Sequence, residues 1–434
     1  MAELVPPAIP DEVNFFSSPL FADLTVPSNG TYKYRWEGLK PSAANGEEFS
    51  MGVKNSRTST GLTNLEAFAI QLRTSENKDQ PAVKILINAL ERRPDLWNEL
   101  YEAAKRPDAR FPIQYEKLFK AASPHTLPVM KLSQILSLRS VAYMEMGDSN
   151  DAERDLMLVL RISDSKKNEP FLISLLVREA IVNMVPTRIW EGIQRHTWSA
   201  EQLKNFENRL ATENLLQGLV IALRGERGTF NEACRRMTQR DKAFMSAFFY
   251  MRQSDWTKTI DTPWWAFLIP WDGLYSEMAF YSRRIQNQTD VLIHARGVNK
   301  DTYPEVIVSS SVEKLKHPLS LQALPTIQSV ARKLIETQAR IDTARIACAL
   351  ERCKMAKESY PENLNQLVPD FIEKLPNDVA SGKSYHYRRN APDNFTLWSI
   401  GFDGVNDNGV QITRNPNSDD VEKGDWVWGV FTKK

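Results

Sequence analysis

Catalysis, metal binding and phosphate binding each need particular side chains at particular spacings, and this 434-residue sequence holds few such arrangements. Its five histidines, His125, His196, His294, His317 and His386, lie far apart, and none forms the helical pair of a zinc enzyme. Gly225-Glu226-Arg227-Gly228 reads as a turn, without the glycine count or the Lys-Ser/Thr that cradles phosphates. No Gly-x-Ser-x-Gly elbow offers a serine nucleophile. Cys234 is flanked by Arg235 and Arg236, cations that lower a thiol pKa, but a lone thiol on a helix is usually a packing residue. Cys348 and Cys353, five apart on a helical pattern, point to different sides and are not expected to bridge. Carboxylates are plentiful, yet sequence spacing does not give the separation that glycosidase chemistry requires.

Composition narrows the classes further. Fifty-five basic against fifty-four acidic residues leave a net charge of +1, which provides no field for nucleic acid. A hydrophobic fraction of 42% with eleven Trp and nineteen Phe is that of a folded chain, long enough for two or three domains. No apolar run reaches the ~18 residues of a membrane span and no signal peptide opens the sequence, so a soluble chain is expected. A membrane link would come only through an anchor upstream of residue 1.

The elements fall into three stretches. Residues 1–60, rich in Pro, Ser, Gly and Asn with scattered aromatics, read as an extended arm that leans on another part of the protein. Across residues 61–320 apolar side chains recur at three and four, first at Leu65, Phe68, Ala69 and Leu72, which predicts a helical domain. Asp95 is a candidate N-cap, and Ser199 with Gln202 a capping box. Leu136–Asp164, with Tyr143, Gly147-Asp148, Ala152, Leu156 and Val159, resembles one tetratricopeptide repeat, read as an αα-hairpin in a helical bundle rather than as a solenoid. The apolar run Asp261–Trp271 reads either as a buried connection or as an exposed aromatic platform.

Residues 321–434 change character. A helix is predicted from Pro325 to Lys357, then Tyr360-Pro361, a short helix at Leu364 and Leu367, the Leu375-Pro376 step with Asp378, and two alternating strands at Tyr385–Arg388 and Asn394–Ile400. With Ser399-Ile400-Gly401-Phe402-Asp403-Gly404 and the closing Gly424-Asp425-Trp426-Val427-Trp428, this order of motifs resembles the major pseudopilin of type II secretion over about a quarter of the chain. The preceding part looks like the helical portion of large bacterial envelope proteins that carry such a module. The resemblance implies a long helix on a small antiparallel sheet, and a calcium ion, Ca2+, in the terminal loop. The matching positions are Asp403 and Asp425, with Asp407 and Asn406 as further oxygen donors and Asp419 or Asp420 beyond them. The competing reading is a turn in which Asp and Asn satisfy their own backbone. An EF-hand does not fit, because Gly404 and Asn415 would fall at its first and twelfth positions. A true pseudopilin begins with an apolar helix that packs into a filament core, whereas here some 320 residues precede the module.

The expected fold is therefore α+β, mostly α: a partly tetratricopeptide-like helical domain followed by a pseudopilin-like long helix and small antiparallel sheet. The expected role is a non-enzymatic interaction or assembly protein of the bacterial cell envelope, periplasmic or membrane-anchored, with protein partners or self-association. The alternatives are a hydrolase with carboxylates in a cleft near Trp264–Asp272 and a self-assembling structural subunit.

Overall fold

The computed structural model describes residues 5–22, 24, 35–36, 93–115, 125–239, 271–303, 316–410 and 424–429. The predicted helices of 62–90 and most of the run 261–271 lie outside these residues. Over the described chain the protein is mostly helical with one small three-stranded antiparallel sheet, as the α+β expectation required.

Of residues 1–60 only 5–22, 24, 35 and 36 are described, and the aromatic side chains among them pack into the helical core. Short 3-10 turns at Phe15–Ser17 and Pro19–Phe21 bury Phe15, Phe16, Leu20 and Phe21, and Trp36 donates its indole N–H to the Pro128 carbonyl at 2.9 Å. Helix α1 (Pro94–Ala104) starts one residue before Asp95: Arg93 is its N-cap, and Asp95 sits in the first turn, held by the Arg93 guanidinium at 2.8 Å. Helices α2 (Thr126–Met146) and α3 (Ser149–Asp164) form the expected hairpin. Gly147 closes α2 with φ +80°, a conformation that disfavours any side chain, and Asp148 then caps α3. Arg139 of α2 binds Asp155 of α3 through two 2.6 Å hydrogen bonds and lies over the Trp97 ring of α1, which fastens three helices at one buried point.

Helices α4 (Leu172–Val182), α5 (Met184–Gln194) and α6 (Ala200–Leu210) follow, the last with the Ser199/Gln202 capping box complete. Helix α7 (Leu215–Thr238) overturns one expectation, because Gly225–Gly228 is not a turn but helix interior. The glycine has a tertiary cause: a β-carbon at Gly225 would lie 1.8 Å from the Pro170 carbonyl oxygen. The backbone of α7 and the chain entering α4 touch there, and the Glu226 carboxylate accepts the Leu172 N–H at 3.0 Å beside the contact. Helix α8 (Trp271–His294) packs along α7.

The long helix α9 runs from Pro318 to Lys357, forty residues or about 60 Å. It begins seven residues before the predicted Pro325. Pro318 occupies the first turn, and the Glu277 carboxylate of α8 accepts the backbone N–H groups of Leu319 and Ser320 at 2.9 and 3.0 Å. A helix start capped by a residue 42 positions away leaves no local signature. After α9 come a 3-10 turn at Leu364–Leu367 and strands β1 (His386–Ala391), β2 (Asn394–Ser399) and β3 (Trp426–Val427), with β2 central. Tyr387 faces Leu397 and Arg389 faces Phe395 across β1 and β2.

One apolar core runs from Phe15 to Phe402, and a second, smaller cluster joins Ile346, Ala349, Leu350 and Cys353 of α9 to Tyr360, Leu364, Leu367, Tyr385 and Leu397. Helix α9 contributes to both.

Two glycines predict opposite outcomes of one substitution. Gly225→Ala gains helix propensity but overpacks the Pro170 contact and is expected to lower stability by about 1–3 kcal/mol. Gly273→Ala, in α8 where nothing lies within 4 Å of the new methyl, is expected to raise stability by up to about 1 kcal/mol. Urea midpoints read both, and a stabilised Gly225→Ala would contradict the packing described.

Candidate functional site

The acidic turn is positioned by Asp378, a buried carboxylate at the foot of the sheet. Its Oδ1 accepts the Ser399 hydroxyl at 2.6 Å and the Ala380 N–H at 3.1 Å, and its Oδ2 accepts the Ser381 hydroxyl at 3.0 Å. This fixes the end of β2, from which Ser399-Ile400-Gly401 leads into the turn. Gly401 stands at φ +73° with the Gly424 carbonyl 2.4 Å from where its β-carbon would be, so the two ends of the loop meet at a point that excludes a side chain.

The structure brings the four sequence-predicted residues together. Asp403 commits both carboxylate oxygens to backbone, accepting the N–H of Val405 and of Gly424, each at 3.1 Å. Asn406 Oδ1 accepts the Trp398 indole N–H and the Asn408 N–H, each at 3.0 Å. Asp425 Oδ2 accepts the Gly409 N–H at 2.7 Å, while its backbone N–H goes to the Val410 carbonyl at 3.2 Å. Asp407 is half-buried beside Asp425. Burial pushes the Asp425 carboxyl above the usual carboxylate range, and the Asp407 charge adds to the rise. Asp425 is 1% exposed, and its Oδ1 is buried without a hydrogen-bond partner.

A calcium shell wants six to eight oxygens. The turn offers one uncommitted buried carboxylate oxygen, and among the described residues no group of three or more His, Cys, Asp and Glu side chains is arranged to hold a metal. Asp419 and Asp420 lie outside the described residues. Asp403 accepts two backbone N–H groups, and Asn406 accepts one backbone N–H together with the Trp398 indole N–H.

A second constellation, invisible in the sequence, lies where α2 begins. His125, Lys166, Glu169 and Ser174 are all buried, with Lys166 only 1% exposed. His125 Nε2 lies 2.6 Å from Glu169 Oε1 and in short contact with Lys166 Nζ, which also donates to Thr126 Oγ1 at 2.9 Å and to Glu169 Oε2 at 3.2 Å. Ser174 donates its hydroxyl to Glu169. The Phe111 ring stacks on His125 at 4.0 Å, and Phe16 meets it edge-on. Burial drives the His125 imidazole down to about 4 and the Lys166 amine down to about 8, whereas Lys166 and His125 outweigh burial at Glu169 and hold it ionised. These residues come from the start of α2, the turn after α3 and the first turn of α4. Only Lys166 and Glu169, three apart, are neighbours in sequence, and all four side chains are buried, so they act as an internal polar clasp.

The thiols are equally enclosed. Cys234, Cys348 and Cys353 are free and buried, and burial pushes the Cys234 thiol up to about 12, the opposite of the lowering its arginine neighbours suggested. Arg235 and Arg236 turn instead to Glu232. Among the described residues no helix is long and apolar enough to cross a membrane.

Comparisons of the chain with protein-family models, with curated proteins and with solved structures find no match.

Proposed function

We propose that the chain is a non-enzymatic assembly protein of the bacterial cell envelope, in which a tetratricopeptide-like helical body holds a pseudopilin-like module in one orientation and offers its terminal turn to a protein partner. The observation that carries this reading is the way α9 is fastened along its length. Glu179 of α4 binds Lys333 at 2.6 Å and accepts the Thr337 hydroxyl at 2.7 Å. Gln338 accepts the Leu215 N–H that opens α7 at 2.9 Å, and Arg345 pairs with Glu207 of α6 at 3.1 Å. The apolar faces of α9 are used inside one chain. What stays outward is the turn, where Val405 and Val410 are 50% and 57% exposed on either side of Asn406 and Asp407.

The same reading places calcium at this turn, supported by the buried, unpaired Asp425 Oδ1 and by the match of Asp403 and Asp425 to the family pattern. Bound there, the ion would supply charge neutralisation that holds the loop closed, with Asp425 as the residue that gains a partner.

Two measurements test the proposal. A photo-crosslinking amino acid at position 405 or 410, in cells that naturally make the protein, is expected to give a discrete protein adduct. Absence of adducts there, with adducts instead at exposed Tyr275 or Ile293 of α8, would move the interface to the helical body, and an adduct of the chain with itself would favour the self-assembling alternative. For calcium, thermal melting of calcium-loaded protein is expected to shift down by a few degrees with chelator. An unchanged midpoint removes the ion from the turn and leaves the partner reading intact.

A further inference from the structure

We propose that the carboxyl of Asp342 is a proton-operated clasp between the helical body and the sheet: neutral, it holds the joint closed, and ionised, it loosens it. Asp342 lies in the middle of α9, 6% exposed, at the point where the helix passes from the body to the sheet. Its Oδ2 accepts the Tyr385 hydroxyl at 3.1 Å, and its Oδ1 accepts the Gln338 side-chain N–H at 3.2 Å. Gln338 in turn accepts the Leu215 N–H, so one chain of hydrogen bonds runs from the start of α7 through Asp342 to the edge of β1.

Charge counting shows why this carboxyl resists ionisation. The cation nearest in effect, Arg345, is already paired with Glu207 of α6 at 3.1 Å. From the sheet side the facing groups are Asp378, a second negative charge, and Tyr385, which burial keeps protonated. On α9 itself the Gln338 amide faces Asp342 and also donates to the Glu213 backbone carbonyl in the loop before α7, the Glu213 carboxylate being bound to Arg178 and Arg209. An ionised Asp342 therefore adds a buried negative charge with no cation of its own. Burial pushes its carboxyl up to about 7, and Arg345, Gln338 and Tyr385 only partly oppose this.

The direction of the pH effect follows by linkage. The closed joint holds the proton up to about pH 7 while the opened one releases it near the ordinary aspartate value of 3.8, so the joint is firmest in acid and weakens as pH rises between these values. Between pH 6 and pH 8 the opened population grows about tenfold. The inference concerns the joint alone and stands whether or not the envelope reading holds.

The test compares the intact wild-type protein with Asp342→Asn, whose amide keeps the neutral shape. Hydrogen exchange of the β1 and β2 amides, corrected for intrinsic rates, is expected to reveal about tenfold more opening at pH 8 than at pH 6 in the wild type and none of this increase in the variant. Taking the difference between the two proteins cancels the His125 cluster, which titrates in the opposite sense. Tyr385→Phe, which keeps the carboxyl and removes one hydrogen bond to its charged form, is expected to raise the midpoint of the transition, and it serves if the asparagine variant does not fold. The proposal is overturned if Asp342, followed by carboxyl carbon NMR, titrates near 4, or if sheet opening is the same at both pH values.

Discussion

The structure depends on one helix having to bury two faces against two different partners. An isolated forty-residue helix with Ile341, Ala344, Ala347, Cys348 on one apolar stripe and Ile346, Ala349, Leu350, Cys353 on another would expose both. A helix apolar on more than one side is stable only when enclosed. The body covers the first stripe and the sheet with its 3-10 turn covers the second, so each partner completes what the other leaves open. The alanines at 339, 344, 347 and 349 are buried and let neighbouring backbones come close.

This division of the helix accounts for where the charged residues went. Buried ion pairs contribute little net stability but penalise wrong arrangements strongly, because a displaced partner leaves a charge without a counter-ion. Glu179, Glu207 and Glu277, each from a different body helix, reach α9 at separate heights, and together they fix its rotation and its starting point. The His125, Lys166 and Glu169 cluster does the same for the start of α2. Asp342 is the exception in this set, a carboxylate at the joint without a cation to itself, and that asymmetry makes the joint responsive where the other clasps are fixed.

What could be read from the sequence was what local rules control. The Ser199/Gln202 box, the Gly147 reversal and the pairing of two adjacent strands involve residues a few positions apart, and each appears as expected, although β2 is buried more deeply along its length rather than on alternate residues. The α9 start, the helical Gly225 and the buried lysine were not legible, because each depends on a residue brought in from elsewhere: Glu277, Pro170 and His125. The turn lies between these cases. Asp403, Asn406, Asp407 and Asp425 were singled out from the order of motifs, but the hydrogen bonds that Asp403, Asn406 and Asp425 make to Val405, Gly424, Trp398 and Gly409 are a matter of geometry. Burial likewise decided Cys234, whose arginine neighbours in sequence are occupied by Glu232 in space.

The claim that body and module form one unit through α9 is tested most directly by native-state hydrogen exchange at pH 6, where Asp342 is protonated. If α9 is shared as described, the amides of its residues 334–350, those of β2 and those of α4 and α6 exchange through one opening with the same free energy and the same denaturant dependence. If β2 and the C-terminal half of α9 instead open together at a clearly lower free energy while α4 and α6 stay protected, the module is a separate unit and the account of a shared helix is wrong.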